Sequence, residues 1–264
     1  MVLIVVAGVL SGAVHNGKFG EGSKGGMRQN GSLALRVATR ALLGVLVLLA
    51  VSYPLSRLGV YEWPRAYDPL ALPDLDQTPN FMTDWQLRLA EADPEGCAVA
   101  LRRAGLPASI RADHGAAACV VSGGVLLSRL SQARLRPEET RCVMAARLYM
   151  WERHGLQPLA RRLLGQPVAE VTHFGSYSCR TMRGKSHMSE HATANAFDIS
   201  GFRLGNGTVI SVKRDWATGG STATFLRAVR SSLCDWFNVT LSPDYNADHA
   251  DHFHVDMGWY RTCR

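Results

Sequence analysis

Sixteen consecutive residues without a charge, ALLGVLVLLAVSYPLS (41–56), lie between Arg40 and Arg57 and decide how the rest of the chain can be arranged. A bilayer core takes about 20 apolar residues, with a range of roughly 17–25. Counted from Leu33 to Val60, with arginines snorkelling at the ends, the run reaches that length. Arg28, Arg36 and Arg40 precede it, which puts the N-terminal side in the cytoplasm and exports the C-terminal side. A retained single-span anchor and a cleaved signal peptide both fit, and a buried core helix is the bland alternative. No small-x-small cleavage site stands out after Ser52, which favours the anchor. The expectation is an inner-membrane protein with its C-terminal part in the periplasm. Upstream, MVLIVVAGVLSGAV is a second apolar run, too short to span. Met27 opens a segment with the basic start and apolar centre of an export signal, so residues 1–26 read as an extension ahead of the true start.

Charge obeys the same division. Residues 1–65 carry seven Lys/Arg and two acidic groups, whereas residues 66–264 carry 22 and 20, so the +7 net charge belongs to the tail. A nucleic-acid partner is therefore not expected. All six cysteines (97, 119, 142, 179, 234 and 263) lie beyond the apolar run, and an even number in an exported part suggests three disulfides. Fifteen pairings are open. The simplest joins sequence neighbours: 97 with 119, 142 with 179, 234 with 263. No CxxC spacing occurs, which argues against a thiolate zinc site or a redox dithiol.

Four prolines and little apolar periodicity make residues 58–80 read as extended linker. The expected organisation is an N-terminal segment 1–32, an anchor or signal 33–60, a linker 61–80 and a folded domain 81–264. Within it, TDWQLRLAEADPEGCAVALRRAGL suggests two short helices broken at Pro94 and Gly96. RPEETRCVMAARLYMWERHGL predicts one helix, with Pro137 near its start, Glu138 and Glu139 in its first turn and Gly155 as its stop. ACVVSGGVLLSRL contains a strand or hairpin. After Pro167 come short strands, EVTHFGSYSCR, NAFDISGFRL, GTVISV and DHFHVDMG, with a helix in STATFLRAVRSSLCDWF. The class is α+β, a helical N-terminal part packed on a small, mainly antiparallel sheet.

Five of the nine histidines fall in two clusters, His187 and His191, then His249, His252 and His254. In AFDISGF, alternation points Asp198 and Ser200 to one side and Phe197 and Ile199 to the other. In HFHVDM, His252 and His254 likewise share a face. A carboxylate on a strand that buries its neighbours needs a compensating partner. One strand thus offers a carboxylate, another two imidazoles, and a preceding loop His191, which is the N/O donor set of a zinc site with a position left open. A single histidine in a strand is ordinarily a satisfied core or surface group; the joint pattern is the feature that points to metal. His187 and His191 at i, i+4 are a helical alternative, but RGKSHMSEHATANA has loop chemistry.

From about residue 80 to the end, the chain resembles the bacterial extensin-like C-terminal domain family, most strongly in GSYSCRTMRG, SEHATANAFDISGF and HADHFHVDMG. More distantly, His-x6-Asp followed by His-x-His looks like the zinc peptidases that include D-alanyl-D-alanine carboxypeptidases, the penicillin-insensitive murein endopeptidase and the hedgehog fold. The resemblance implies that fold type, with zinc held by His191, Asp198 and His254. The carboxypeptidases place a general-base glutamate where this chain has Asp251, one methylene shorter. The endopeptidase pattern instead implies His252 and His249. The reading adopted is His252 as base assisted by Asp251. Arg180 is the best match to the arginine that binds a substrate carboxylate or polarises the carbonyl, with Arg183 next and Ser189 as a further substrate-binding residue. The function implied is zinc-assisted amide hydrolysis on the peptide stems of peptidoglycan. A non-catalytic zinc-containing wall-binding domain, or a structural envelope protein without metal, is the alternative.

Overall fold

The computed structural model describes residues 27–264, so the expectation for residues 1–26 lies outside the described residues. The chain divides into two units, residues up to Glu62 and Trp63–Arg264. The described part of the first, residues 27–62, carries helix α1 (Met27–Arg57). Its stretch Leu35–Arg57, 23 residues of mean hydropathy 1.9 with none of it buried, is long and apolar enough to cross a membrane, as an anchor or as a signal. At 1.5 Å per residue it measures about 34 Å against a hydrocarbon layer of about 30 Å.

The second unit begins ahead of Phe81. Residues 65–80, whose prolines suggest a linker, pack on the domain: Leu75 is buried, Gln86 Nε2 donates to the carbonyls of Arg65 and Asp68 (2.9 Å each), and Tyr149 Oη donates to Asp76 (2.7 Å). The prolines are compatible with this because the segment's polar groups are satisfied by local turns and by side chains rather than by a ladder. Helices α2 (Thr83–Ala92) and α3 (Pro94–Arg103) come next. Pro94 starts α3 rather than simply breaking the pair, with Asp93 as its N-cap accepting from Gly96 N (3.0 Å).

The largest departure from the sequence pattern lies at 134–156. Residues Arg134–Arg141 form strand β2, paired antiparallel with β1 (Gly124–Arg129), and helix α4 begins only at Cys142 and runs to Trp151. Glu138 and Glu139 are therefore strand residues opposite Leu127 and Leu126, not a helix first turn. Local helix-start chemistry lost to tertiary pairing, since β1 offers a ladder that an isolated N-terminal turn cannot match. All ten residues of α4 are buried, which explains its lack of a clean apolar stripe. Gly155 does not stop the helix: a single π turn, Glu152–Leu156, leads into α5 (Gln157–Leu164). A Cβ on Gly155 would lie 2.5 Å from Ser232 Oγ, so the glycine serves close approach to the later helix that carries Ser232.

The π turn carries Glu152, fully buried, to the β1–β2 turn. Its carboxylate accepts from the backbone N–H of Ser131, Gln132 and Ala133, from the Ser131 hydroxyl and from Gln157 Nε2. Glu152→Ala is expected to orphan these donors at about 1–3 kcal/mol each for those that water cannot reach, shifting the urea midpoint sharply downward. A midpoint unchanged from the parent chain would show that this network is dispensable.

The remaining elements are β3 (Val168–Gly175), β4 (Ala196–Leu204), β5 (Val209–Ser211), α6 (Val212–Asp215), α7 (Gly220–Trp236), β6 (Val239–Leu241), β7 (Phe253–Asp256) and β8 (Thr262–Cys263). One eight-stranded sheet results, ordered β1-β2-β3-β4-β7-β6-β8, with β5 pairing the second half of β4. Five pairings are antiparallel; β2–β3 and β6–β8 are parallel. The α+β class with a mainly antiparallel sheet holds. Phe197, Ile199, Phe253 and Val255 point into the core shared with α4 and α7, leaving the opposite face of β4 and β7 to polar side chains.

The disulfides are Cys97–Cys142, Cys119–Cys179 and Cys234–Cys263. Only the last joins sequence neighbours. Cys142, at the junction of β2 and α4, meets α3 rather than Cys179, and Cys119 meets the loop after β3. Loop closure costs only slowly more with length, so proximity in the fold outweighs proximity in sequence.

Candidate metal centre

Strand pairing builds the site. β4 and β7 are antiparallel neighbours in which Asp198 stands opposite His254 and Ala196 opposite Asp256. With a period of two, His252, His254 and Asp256 share the polar face. His191 comes from a 3₁₀ turn, Glu190–Thr193, whose N-cap Ser189 accepts from His191 N (3.3 Å). The loop carrying this turn is held by Cys119–Cys179 and by Ser176, whose hydroxyl donates toward Ala196 O (2.7 Å) and whose N–H donates to Glu138 Oε1 (2.9 Å). Gly175 (φ +126°) allows that approach, since a Cβ there would stand 3.1 Å from the Glu138 carboxylate.

Three donor atoms converge. His191 Nε2 and His254 Nδ1 are 3.1 Å apart, and Asp198 Oδ1 is 3.2 Å from the first and 3.0 Å from the second. The outer contacts set the tautomers. His191 Nδ1 faces the Ser176 carbonyl (2.7 Å), which only accepts, so Nδ1 carries the proton; His254 Nε2 donates to Asp256 Oδ2 (2.8 Å). With both rings neutral, the remaining ring nitrogens aim lone pairs at one point beside a carboxylate oxygen, an arrangement that can receive a cation. A tetrahedral ion with ligand distances of about 2.0–2.1 Å separates its donors by about 3.3 Å, close to the spacing observed. Neutral imidazoles with the Asp198 and Asp256 carboxylates make a net −2, which suits a divalent ion. The buried His191–Asp198–His254 group can bind a metal ion.

Electrostatics agree. With no ion bound, burial disfavours charge on His254, but the hydrogen bonds and charges of Asp198 and Asp256 outweigh it and push the imidazolium up to about 9. Burial likewise raises Asp198, but hydrogen bonds and charges from His191 and His254 hold it well below the usual carboxylate range. The cluster therefore favours positive charge at its centre, as a proton or as a metal ion.

The surrounding residues divide by role. His252 Nδ1 lies 2.8 Å from Asp251 Oδ1, and its Nε2 faces the centre, 3.5 Å from Asp198 Oδ1. Asp251 reaches its neighbour because residues 247–251 turn before β7 begins. His249 packs on the His252 ring (5.2 Å) and contacts Asn246. Burial, then the positive charges of His254 and His252, bring it down to about 4, so it is neutral near pH 7. Exposed Phe174 and Tyr245 stand edge-on to His252 and His249 at 5.6 and 5.4 Å. Arg180 is exposed at the base of the 181–188 flap, and Arg183, near its tip, pairs with Asp248 (2.6 Å). His187 is exposed on that flap and does not join the cluster.

Asp256 is a member of the centre that the motif spacing does not mark, although the alternation through His252 and His254 continues onto it. Carboxylate support of a ligating imidazole contributes about 10–100-fold to metal affinity. Asp256→Asn is therefore expected to weaken binding of a divalent ion by that factor, measured with zinc in competition with a chromophoric chelator, and an unchanged constant would deny Asp256 this role.

Residues 95–264 match the model of the family described as Extensin-like protein C-terminus, a span containing every residue of the cluster and all six cysteines. No curated protein and no solved structure matches the chain.

Proposed function

We propose, from the premise that this chain belongs to the extensin-like C-terminal family, that its domain holds zinc at His191, Asp198 and His254 and hydrolyses amide bonds in peptidoglycan peptides. The observation that carries the reading is the convergence of two lone-pair nitrogens and a carboxylate oxygen at 3.0–3.2 Å. A zinc ion, when bound, supplies Lewis acidity that polarises an amide carbonyl and acidifies water. His252 takes the proton at Nε2, while its Nδ1–H is held by Asp251, which orients the ring and stabilises the charge it gains. The same nitrogen returns the proton to the departing amine. Arg180, exposed beside the flap, meets a substrate carboxylate; Arg183 steadies the flap through Asp248, and Ser189 acts through the turn that presents His191. Phe174 and Tyr245 line the approach.

Three disulfides point to an extracytoplasmic domain. With Leu35–Arg57 as a retained inner-membrane span, the centre works in the periplasm, where peptide stems are reached. The test is zinc analysis of the purified chain together with mass spectrometry of muropeptides after incubation. One zinc per chain and shortened stems support the proposal. Zinc without new products on any fragment selects a non-catalytic wall-binding domain instead, and absence of zinc at saturating supply overturns both.

A further inference from the structure

We propose that a face of the folded unit formed by Tyr67, Leu70, Phe81 and Trp85 rests in the headgroup layer of a lipid bilayer. These side chains are 46, 62, 80 and 50% exposed. They are not a loose tail. Asn80 Nδ2 donates to Ala66 O (3.0 Å), Trp85 Nε1 to Pro69 O (2.8 Å) and Gln86 Nε2 to Arg65 O (2.9 Å), and the Tyr67 and Phe81 rings lie 5.9 Å apart. Two segments are thus pinned together so as to present large apolar groups outward, while buried Gln86 and Leu87 fix the helix behind them. A water-facing surface gains nothing from that arrangement.

Chain connectivity identifies the occupant. The apolar stretch Leu35–Arg57 ends ten residues before Tyr67, and ten residues reach at most about 36 Å. If that stretch spans, the face cannot leave the neighbourhood of the membrane surface. Its chemistry fits the interface: an indole and a phenol with polar ends, a phenyl and a leucyl group, and exposed Arg65 beside them for anionic headgroups. The consequence is that the domain does not swing freely on its tether but presents its metal centre in one orientation to the bilayer. The inference rests on the reading of Leu35–Arg57 as a retained span and is independent of peptidase activity.

The test uses the full chain in vesicles of phosphatidylethanolamine and phosphatidylglycerol. All six native cysteines are paired, so a thiol-directed spin label reacts only at an introduced site. The label at Phe81→Cys is expected to be relaxed more by oxygen than by a water-soluble nickel chelate, and the label at Asn206→Cys, in the exposed β4–β5 turn, to show the reverse. Adding Leu70→Ser and Trp85→Ser should return the label at 81 to aqueous values while the thermal midpoint reports an intact fold. A label at 81 indistinguishable from that at 206, in a chain that withstands alkaline washing, overturns the proposal alone. Release of the chain by alkali removes the anchor reading and this proposal with it.

Discussion

Zinc content is expected to fall from about one ion per chain to background in each of His191→Ala, Asp198→Ala and His254→Ala, measured by atomic emission after dialysis against dilute metal. Each variant removes one of the three donors proposed to hold the ion, a larger loss than the roughly 10–100-fold that removal of an outer-sphere partner costs. The domain should nevertheless remain folded. Its core side chains Phe197, Ile199, Phe253 and Val255 lie on the opposite face of the same strands, and three disulfides constrain the unfolded chain. Loss of metal is thus separable from loss of structure, which far-ultraviolet dichroism and the absence of titratable thiols would verify. Retention of one zinc per chain in all three variants would refute the ligand assignment.

His252→Ala is expected to retain zinc but to lose on the order of 10²–10⁴-fold in hydrolysis of muropeptides, the range typical of general acid–base catalysis. The geometry behind this is a ring whose Nε2 faces the donor cluster at 3.5 Å from Asp198 while Nδ1 is held at 2.8 Å by Asp251. Asp251→Asn should lose less, because the aspartate touches His252 and acts through it. On a continuous strand Asp251 would face away from His252; the turn over residues 247–251 brings it round. A larger loss for Asp251→Asn than for His252→Ala would reverse the two roles.

Much of the site is legible in the sequence because strands impose a period of two. Alternation in AFDISGF and HFHVDM separates the polar from the core-facing residues before any fold is known, and the observed pairing of Asp198 with His254 joins the two predicted faces. The same alternation extends to Asp256, whose carboxylate needs no further signal than its position two residues after His254. Ser176 has none: it contributes a backbone carbonyl, which any residue carries, and only the fold brings it to His191 Nδ1.

The sequence by itself determined which segments are apolar through and through, which strands are two-faced, and which residues carry ligand chemistry, because those depend on local composition and periodicity. Tertiary structure alone decided the rest. Arg134–Arg141 became a strand although Pro137 and two glutamates are good helix-start residues, because β1 supplies a ladder. Cys97 joined Cys142 and Cys119 joined Cys179, because packing of α3 on α4 and of the site loop near Cys119 sets which sulfurs meet. Finally, the 56 residues separating Asp198 from His254 collapse to 3.0 Å because two antiparallel strands place their polar faces side by side, a long-range pairing that no window of sequence contains.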